Sequence, residues 1–148
     1  GYYEVPIFDP FLLLDYFYTE DTEEVMMGFP WHPHRGIETI TYMKSGFITH
    51  EDNIGNKGII GPGDVQWMTA GSGVIHQEMP KGDSEGRMEG FQLWANLPAA
   101  NKMMGPRYQD IKANQSPTIK VDNGVSIKII CGQIYGTNGP VRDIVIEP

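Results

Sequence analysis

From Gly36 onward the chain is cut into short apolar runs by clusters of glycine, proline, asparagine and aspartate. Residues 37–43, 47–51, 65–69, 74–79 and 88–97 are rich in β-branched and aromatic side chains, the composition of pleated strands. Lys44-Ser45-Gly46, Gly61-Pro62-Gly63-Asp64 and Ala70-Gly71-Ser72-Gly73 separate them. Proline presets one φ in such turns and glycine accepts a positive one. The strand of residues 74–79 is expected to end at Pro80, and 52–58 to form a loop. Asp122-Asn123-Gly124, between residues 119–121 and 125–130, reads as a hairpin turn. Residues 133–135 read as another short strand, and 141–148 as one more alternating apolar segment. Residues 99–104 favour one short helix. Upstream, residues 2–10 read as an extended lead-in. The apolar run 11–17 is a strand or a helical turn, which its period does not decide, and the acidic stretch 20–24 reads as a solvated loop. Many short strands and little helix predict an all-β sandwich or small barrel.

Composition narrows the function. The 148 residues suit one domain of ordinary size. The formal net charge is −8 and the eleven lysines and arginines are scattered, so the basic stripe that direct nucleic-acid binding needs is missing. A protein partner stays open. No apolar run approaches transmembrane length and no secretory signal is visible, so no membrane partner is expected. A single cysteine, Cys131, rules out an internal disulfide framework and reads as a buried small hydrophobe. The expected location is cytoplasmic, or nuclear in a eukaryote.

Two of the four histidines sit in Phe29-Pro30-Trp31-His32-Pro33-His34-Arg35-Gly36. Pro33 fixes its own φ and pushes His32 towards extended geometry. In an extended segment residues i and i+2 face one way, so His32 and His34 present two imidazoles to the same side. His76 and Glu78 repeat that spacing in a predicted strand. Inside a barrel the two pairs converge on one point. Three imidazoles and a carboxylate suit iron, manganese, nickel, copper or zinc better than magnesium or calcium, which prefer all-oxygen shells. Glu38 follows the first pair closely and competes with Glu78 as the carboxylate. His50, beside Glu51 and Asp52, reads as a solvent-side residue. Phe29, Trp31, Phe47, Trp67, Met68 and Trp94 are candidates to line a pocket beside the metal, with Gln66 and Gln92 as hydrogen-bonders.

These residues resemble a known family. Gly28-Phe29-Pro30-Trp31-His32-Pro33-His34-Arg35-Gly36-Ile37-Glu38-Thr39-Ile40-Thr41-Tyr42 is similar to the first signature of the pirins, within the cupins. Gly58-Ile59-Ile60-Gly61-Pro62-Gly63-Asp64-Val65-Gln66-Trp67-Met68-Thr69-Ala70-Gly71-Ser72-Gly73-Val74-Ile75-His76-Gln77-Glu78-Met79-Pro80 resembles the second, almost residue for residue. Asp9-Pro10-Phe11-Leu12-Leu13-Leu14-Asp15 and Phe91-Gln92-Leu93-Trp94-Ala95-Asn96-Leu97-Pro98 extend the likeness over nearly the whole chain. The resemblance implies a cupin-type double-stranded β-helix, a jelly-roll barrel. It implies one mononuclear divalent metal, usually Fe(II), held by His32, His34, His76 and Glu78, and it ranks Glu78 above Glu38. It implies a dioxygenase of the quercetin 2,3-dioxygenase type, opening a flavonol ring with O₂ and releasing carbon monoxide, with Glu78 as the catalytic base. The alternative implied is a non-enzymatic, redox-responsive transcriptional co-regulator that acts through protein contacts. Pirins have two cupin-like domains. The expectation is therefore an N-terminal cupin domain over residues 1–140 and the start of a second over 141–148, with unpaired edges favouring a homo-oligomer.

Overall fold

The protein is described by a computed structural model covering residues 8–146. Its strands in chain order are β1 (Phe11–Thr19), β2 (Phe29–His34), β3 (Ile37–Ser45), β4 (Phe47–Asp52), β5 (Lys57–Ile60), β6 (Val65–Thr69), β7 (Val74–Lys81), β8 (Met88–Asn96) and β9 (Arg107–Ile111). They build two antiparallel sheets. One has the order β1-β8-β3-β6-β9 and the other β2-β7-β4-β5. Two small hairpins follow. β10 (Thr118–Lys120) pairs with β11 (Ser126–Lys128), and β12 (Gln133–Ile134) with β13 (Thr137–Asn138). A 3₁₀ turn at Ala99–Asn101 replaces the longer helix expected over 99–104. The run that periodicity left undecided is strand β1.

The two sheets face each other and close a small jelly-roll barrel. Met43 and Met88 of the first sheet meet Ile48 and Ile60 of the second. Met68 meets Val74 at the other end of the barrel axis. Between these apolar plugs, the register places an inward-facing polar row across the first sheet: Asp15, Gln92, Thr41, Gln66 and Asp110 are successive cross-strand partners. Opposite it, the inward positions of β4 and β7 are His50, Asp52, His76 and Glu78, all buried. A polar layer held between two hydrophobic ones must satisfy its own hydrogen bonds or bind something that does.

The outer face of the five-stranded sheet carries a third core. Ile40, Val65, Trp67, Ala95 and Ile111 are covered there by Val141 and Ile146. The C-terminal segment is also tied to β9. The Gln109 amide donates to the Arg142 carbonyl at 2.8 Å and accepts from the Arg142 amide at 3.0 Å. No strand is formed by residues 141–146. Residues 1–7 of the lead-in and 147–148 of that segment lie outside the described residues.

Four local expectations are corrected. The acidic stretch is not all loop: Asp21 caps a short helix, α1 (Thr22–Met27), its side chain accepting from the Glu23 and Glu24 amides, and both glutamates sit in the first turn, where the helix dipole favours them. β7 runs through Pro80 to Lys81. It can because pairing with β2 begins at Glu78, so beyond that point the β2 side of the strand is an edge where a missing N–H costs nothing. Cys131 is exposed rather than buried. Strand β9 was not expected from sequence at all. Its inward positions are Tyr108 and Asp110, so a polar interior disguises it as a loop.

Candidate metal centre

Local chain chemistry sets the histidines. Pro30 and Pro33 stiffen β2, which pairs with β7 so that His32 lies directly across from His76 and His34 across from Val74. The expected extended geometry brings three imidazoles together. Ring centroids are 4.9 Å apart for His32 and His34, 4.4 Å for His32 and His76, and 4.9 Å for His34 and His76. One ligand nitrogen from each lies within 4.8 Å of the others. Two residues after His34, Gly36 turns the chain with φ +69°, a left-handed conformation that glycine accepts without steric cost.

Their electrostatics suit a cation. Burial, and then the neighbouring His32, push His34 down to about 4. Burial and the adjacent histidines push His76 down to about 3. Both are therefore neutral imidazoles at physiological pH, the form that ligates metal. His32 Nδ1 lies 2.7 Å from the Pro30 carbonyl. A carbonyl only accepts, so Nδ1 carries the proton and Nε2 keeps its lone pair for a metal. His76 is 1% exposed, and neither of its ring nitrogens has a hydrogen-bond partner among the described residues. Such buried orphans are costly unless something binds them, and a divalent ion at the centre of the trio fits that need.

The two carboxylate candidates are separated by strand parity. Glu78 projects with His76 into the barrel, is 4% exposed, and lines the same cavity as His32 and His34. It stands outside the 4.8 Å circle of the three imidazoles. Burial raises its pKa, and the Gln92 amide, donating to Oε2 at 3.4 Å, works against that rise. Glu38 shares the outer face of β3 with Ile40, on the side of the sheet turned away from the histidines. Its Oε1 accepts from the Thr69 hydroxyl at 2.6 Å.

His50 corrects the expectation of a solvent-side residue: it is 2% exposed inside the barrel. The alternation Ile48, His50, Asp52 is the inward set of β4, and the acidic neighbours Glu51 and Asp52 hid that period. His50 Nε2 lies 3.6 Å from Asp110 Oδ2, and the ring stacks on Tyr108. A Cβ on Gly58 would sit 2.4 Å from that Nε2, so the close approach of β5 requires glycine.

The cavity over the histidines holds about 480 Å³, within the usual range of small-molecule sites. Of the expected lining residues, Phe29, Gln92 and Trp94 are there. Trp67 and Met68 belong to hydrophobic cores, Trp31 and Phe47 are largely exposed, and Gln66 donates to Asp110 at 3.1 Å. Sequence reading missed Leu13, Asp15 and Phe17, the inward face of β1. Their i, i+2 spacing was the available signal, obscured by apolar residues on both faces of that strand.

Known proteins agree with this architecture. A family model described as Pirin matches residues 2–95. A pirin-like protein of Caulobacter vibrioides is 51% identical over 139 residues, covering 93% of this chain and 50% of its own. The crystal structure of a quercetin 2,3-dioxygenase from Acinetobacter baumannii superposes with a TM-score of 0.77 at 40% identity, over 90% of this chain and 48% of that one. A bacterial pirin from Escherichia coli, solved in complex with nickel(II), matches with a TM-score of 0.53 at 32% identity, over 62% of this chain and 38% of that one. The chain spans about half the length of the curated relatives it matches. With its histidine trio inside a cupin barrel, the chain belongs to the pirin family.

Proposed function

We propose that the chain is the metal-bearing part of a dioxygenase of the quercetin 2,3-dioxygenase type. The observation that carries this reading is a set of three converging imidazoles, with a buried carboxylate beside them, at the floor of a cavity of about 480 Å³. His32, His34 and His76 would hold the metal together with Glu78, a buried carboxylate of the same cavity, with Fe(II) the ion expected first. A divalent transition metal there supplies Lewis-acid and redox chemistry to the oxygen atoms of an aromatic substrate.

The chain's own residues do the rest. Leu13, Phe17, Phe29 and Trp94 wall the cavity with apolar surface that takes flat rings. Glu78 takes the proton of the flavonol 3-hydroxyl. Burial makes its carboxylate a stronger base than an exposed one, so the transfer is nearer to balance. A flavonol whose 3-hydroxyl is methylated has no proton to give and is expected to be inert.

The test is to load the purified chain with Fe(II) and follow O₂ consumption and carbon monoxide release with quercetin. Turnover that falls 10²–10⁴-fold in Glu78→Ala, the usual worth of a general base, supports the reading. Absence of O₂ consumption by the loaded chain overturns it. Metal-dependent capture of a protein partner in the absence of turnover then favours the co-regulator.

A further inference from the structure

All four candidate ligands stand on the four-stranded sheet, yet Glu78 is engaged from the other side of the barrel. Gln92 of β8 donates its Nε2 to Glu78 Oε2 at 3.4 Å and to Thr41 Oγ1 at 3.2 Å. Its Oε1 accepts from Trp94 Nε1 at 2.7 Å. The indole N–H is a donor only, so it selects which end of the amide it faces. With Oε1 committed to Trp94, the NH₂ must point towards Thr41 and Glu78. A flipped amide would set NH₂ against N–H and oxygen against carboxylate, two repulsive contacts at once. The Trp94 ring also stands edge-on to His34, with centroids 5.2 Å apart and planes at 87°. One indole thus touches a histidine of the trio and locks the amide that touches the carboxylate.

We infer that Gln92, fixed in its amide orientation by Trp94, is the positioning residue for Glu78. It holds Oε2 from the five-stranded sheet, which would leave Oε1 for a metal or substrate. The inference rests on the metal-centre reading above. It assigns the five-stranded sheet a task in that centre: β2 and β7 carry the ligands, and β8 aims one of them. Hydrogen bonds that orient a ligand typically contribute 10–100-fold to metal affinity. Because the bond to Glu78 is long, the lower end of that range is expected here.

The test is a double-mutant cycle read by Co(II) binding to the intact chain. Co(II) reports both affinity and, through its visible absorption, the coordination geometry. Gln92→Leu is expected to weaken Co(II) about tenfold and to shift the spectrum. In a Glu78→Gln background the same change is expected to cost less than twofold, because its target is gone. Trp94→Phe keeps an aromatic ring at that position, removes the N–H, and is expected to reproduce part of the loss. It replaces Gln92→Leu should that variant not fold. Equal losses in both backgrounds, or no loss with Glu78 present, overturn the inference. Neither readout depends on flavonol turnover. A chain that binds Co(II) with this coupling but consumes no O₂ refutes the dioxygenase reading and sustains the positioning role. A wild-type chain that takes up no Co(II) overturns both.

Discussion

Glu38 and Thr69 are cross-strand partners on the face of the five-stranded sheet turned away from the histidines, joined Oγ1 to Oε1 at 2.6 Å. Thr69 Oγ1 also accepts from Arg107 Nε at 3.3 Å. The hydroxyl therefore relays a cation to a fully buried carboxylate whose Oε2 has no hydrogen-bond partner among the described residues. Glu38 thus faces away from the cavity that Glu78 lines. Thr69→Val strips Glu38 of its hydrogen bond and is expected to destabilise the fold by about 1–3 kcal/mol, the usual cost of an unsatisfied buried group. Metal affinity is expected to stay within twofold. Urea denaturation and Co(II) titration on the same variant check both halves. Loss of metal uptake with stability intact would return Glu38 to the centre.

The histidine trio was legible because two i, i+2 spacings on extended backbone obey strand parity whatever the barrel around them does. The same parity separates Glu38 from Glu78, but only once β3 is known to be packed on both faces, with Ile40 under Val141 and Ile146 on one side and Thr41 beside Gln92 on the other. A strand buried on both sides loses the alternation by which sequence reveals which way a residue points. His50 failed for the converse reason: its inward set is polar, so the strand looked solvated. Strand β9 escaped in the same way through Tyr108 and Asp110. The polar layer that makes this barrel useful is the part whose pattern imitates surface.

Acidification is expected to weaken the metal-free fold. His34 and His76 hold folded values of about 4 and about 3 against an ordinary value of 6.5. Between 6.5 and those values the unfolded chain binds protons that the folded one refuses, so stability rises with pH across that window and is lost as pH falls through it. Glu78 acts with the opposite sign. Its raised folded pKa favours the folded state at low pH, and that contribution fades as pH rises above 4.5. Thermal melts of the chelator-treated chain from pH 7 to 4 should therefore slope downward. His34→Gln should flatten the slope and Glu78→Gln should steepen it. An unchanged slope in His34→Gln would count against a neutral buried His34.

Metal should stabilise the chain by mass action. An ion that binds only the folded state adds about 2.7 kcal/mol at a hundredfold excess over its Kd. For a chain of this length that corresponds to a rise in Tm on the order of 5–10 °C. Ni(II), Fe(II) and Co(II) are each expected to give such a shift, and Mg(II) none. His76→Ala should abolish it, because it removes the imidazole that lies across from His32 and beside His34. A shift that survives that substitution would place the bound ion elsewhere.

Gly58 offers a test of the barrel's closed side that leaves the ligands untouched. Its backbone passes so close to His50 that a Cβ would lie 2.4 Å from Nε2 and 3.1 Å from Asp110 Oδ2. His50 is 2% exposed and stacked on Tyr108, so it has little room to withdraw. Gly58→Ala must therefore push β5 away from β4 or turn the imidazole out of its stack. Overpacking of this kind costs about 1–3 kcal/mol. Gly58→Val, with two further methyl groups, should cost more. The midpoint of urea unfolding should fall while its slope holds, the mark of changed stability without changed compactness. Ni(II) affinity should stay within threefold, since β2 and β7 carry the trio and β5 pairs only with β4. A tenfold loss of Ni(II) affinity with an unchanged midpoint would instead tie His50 directly to the metal centre.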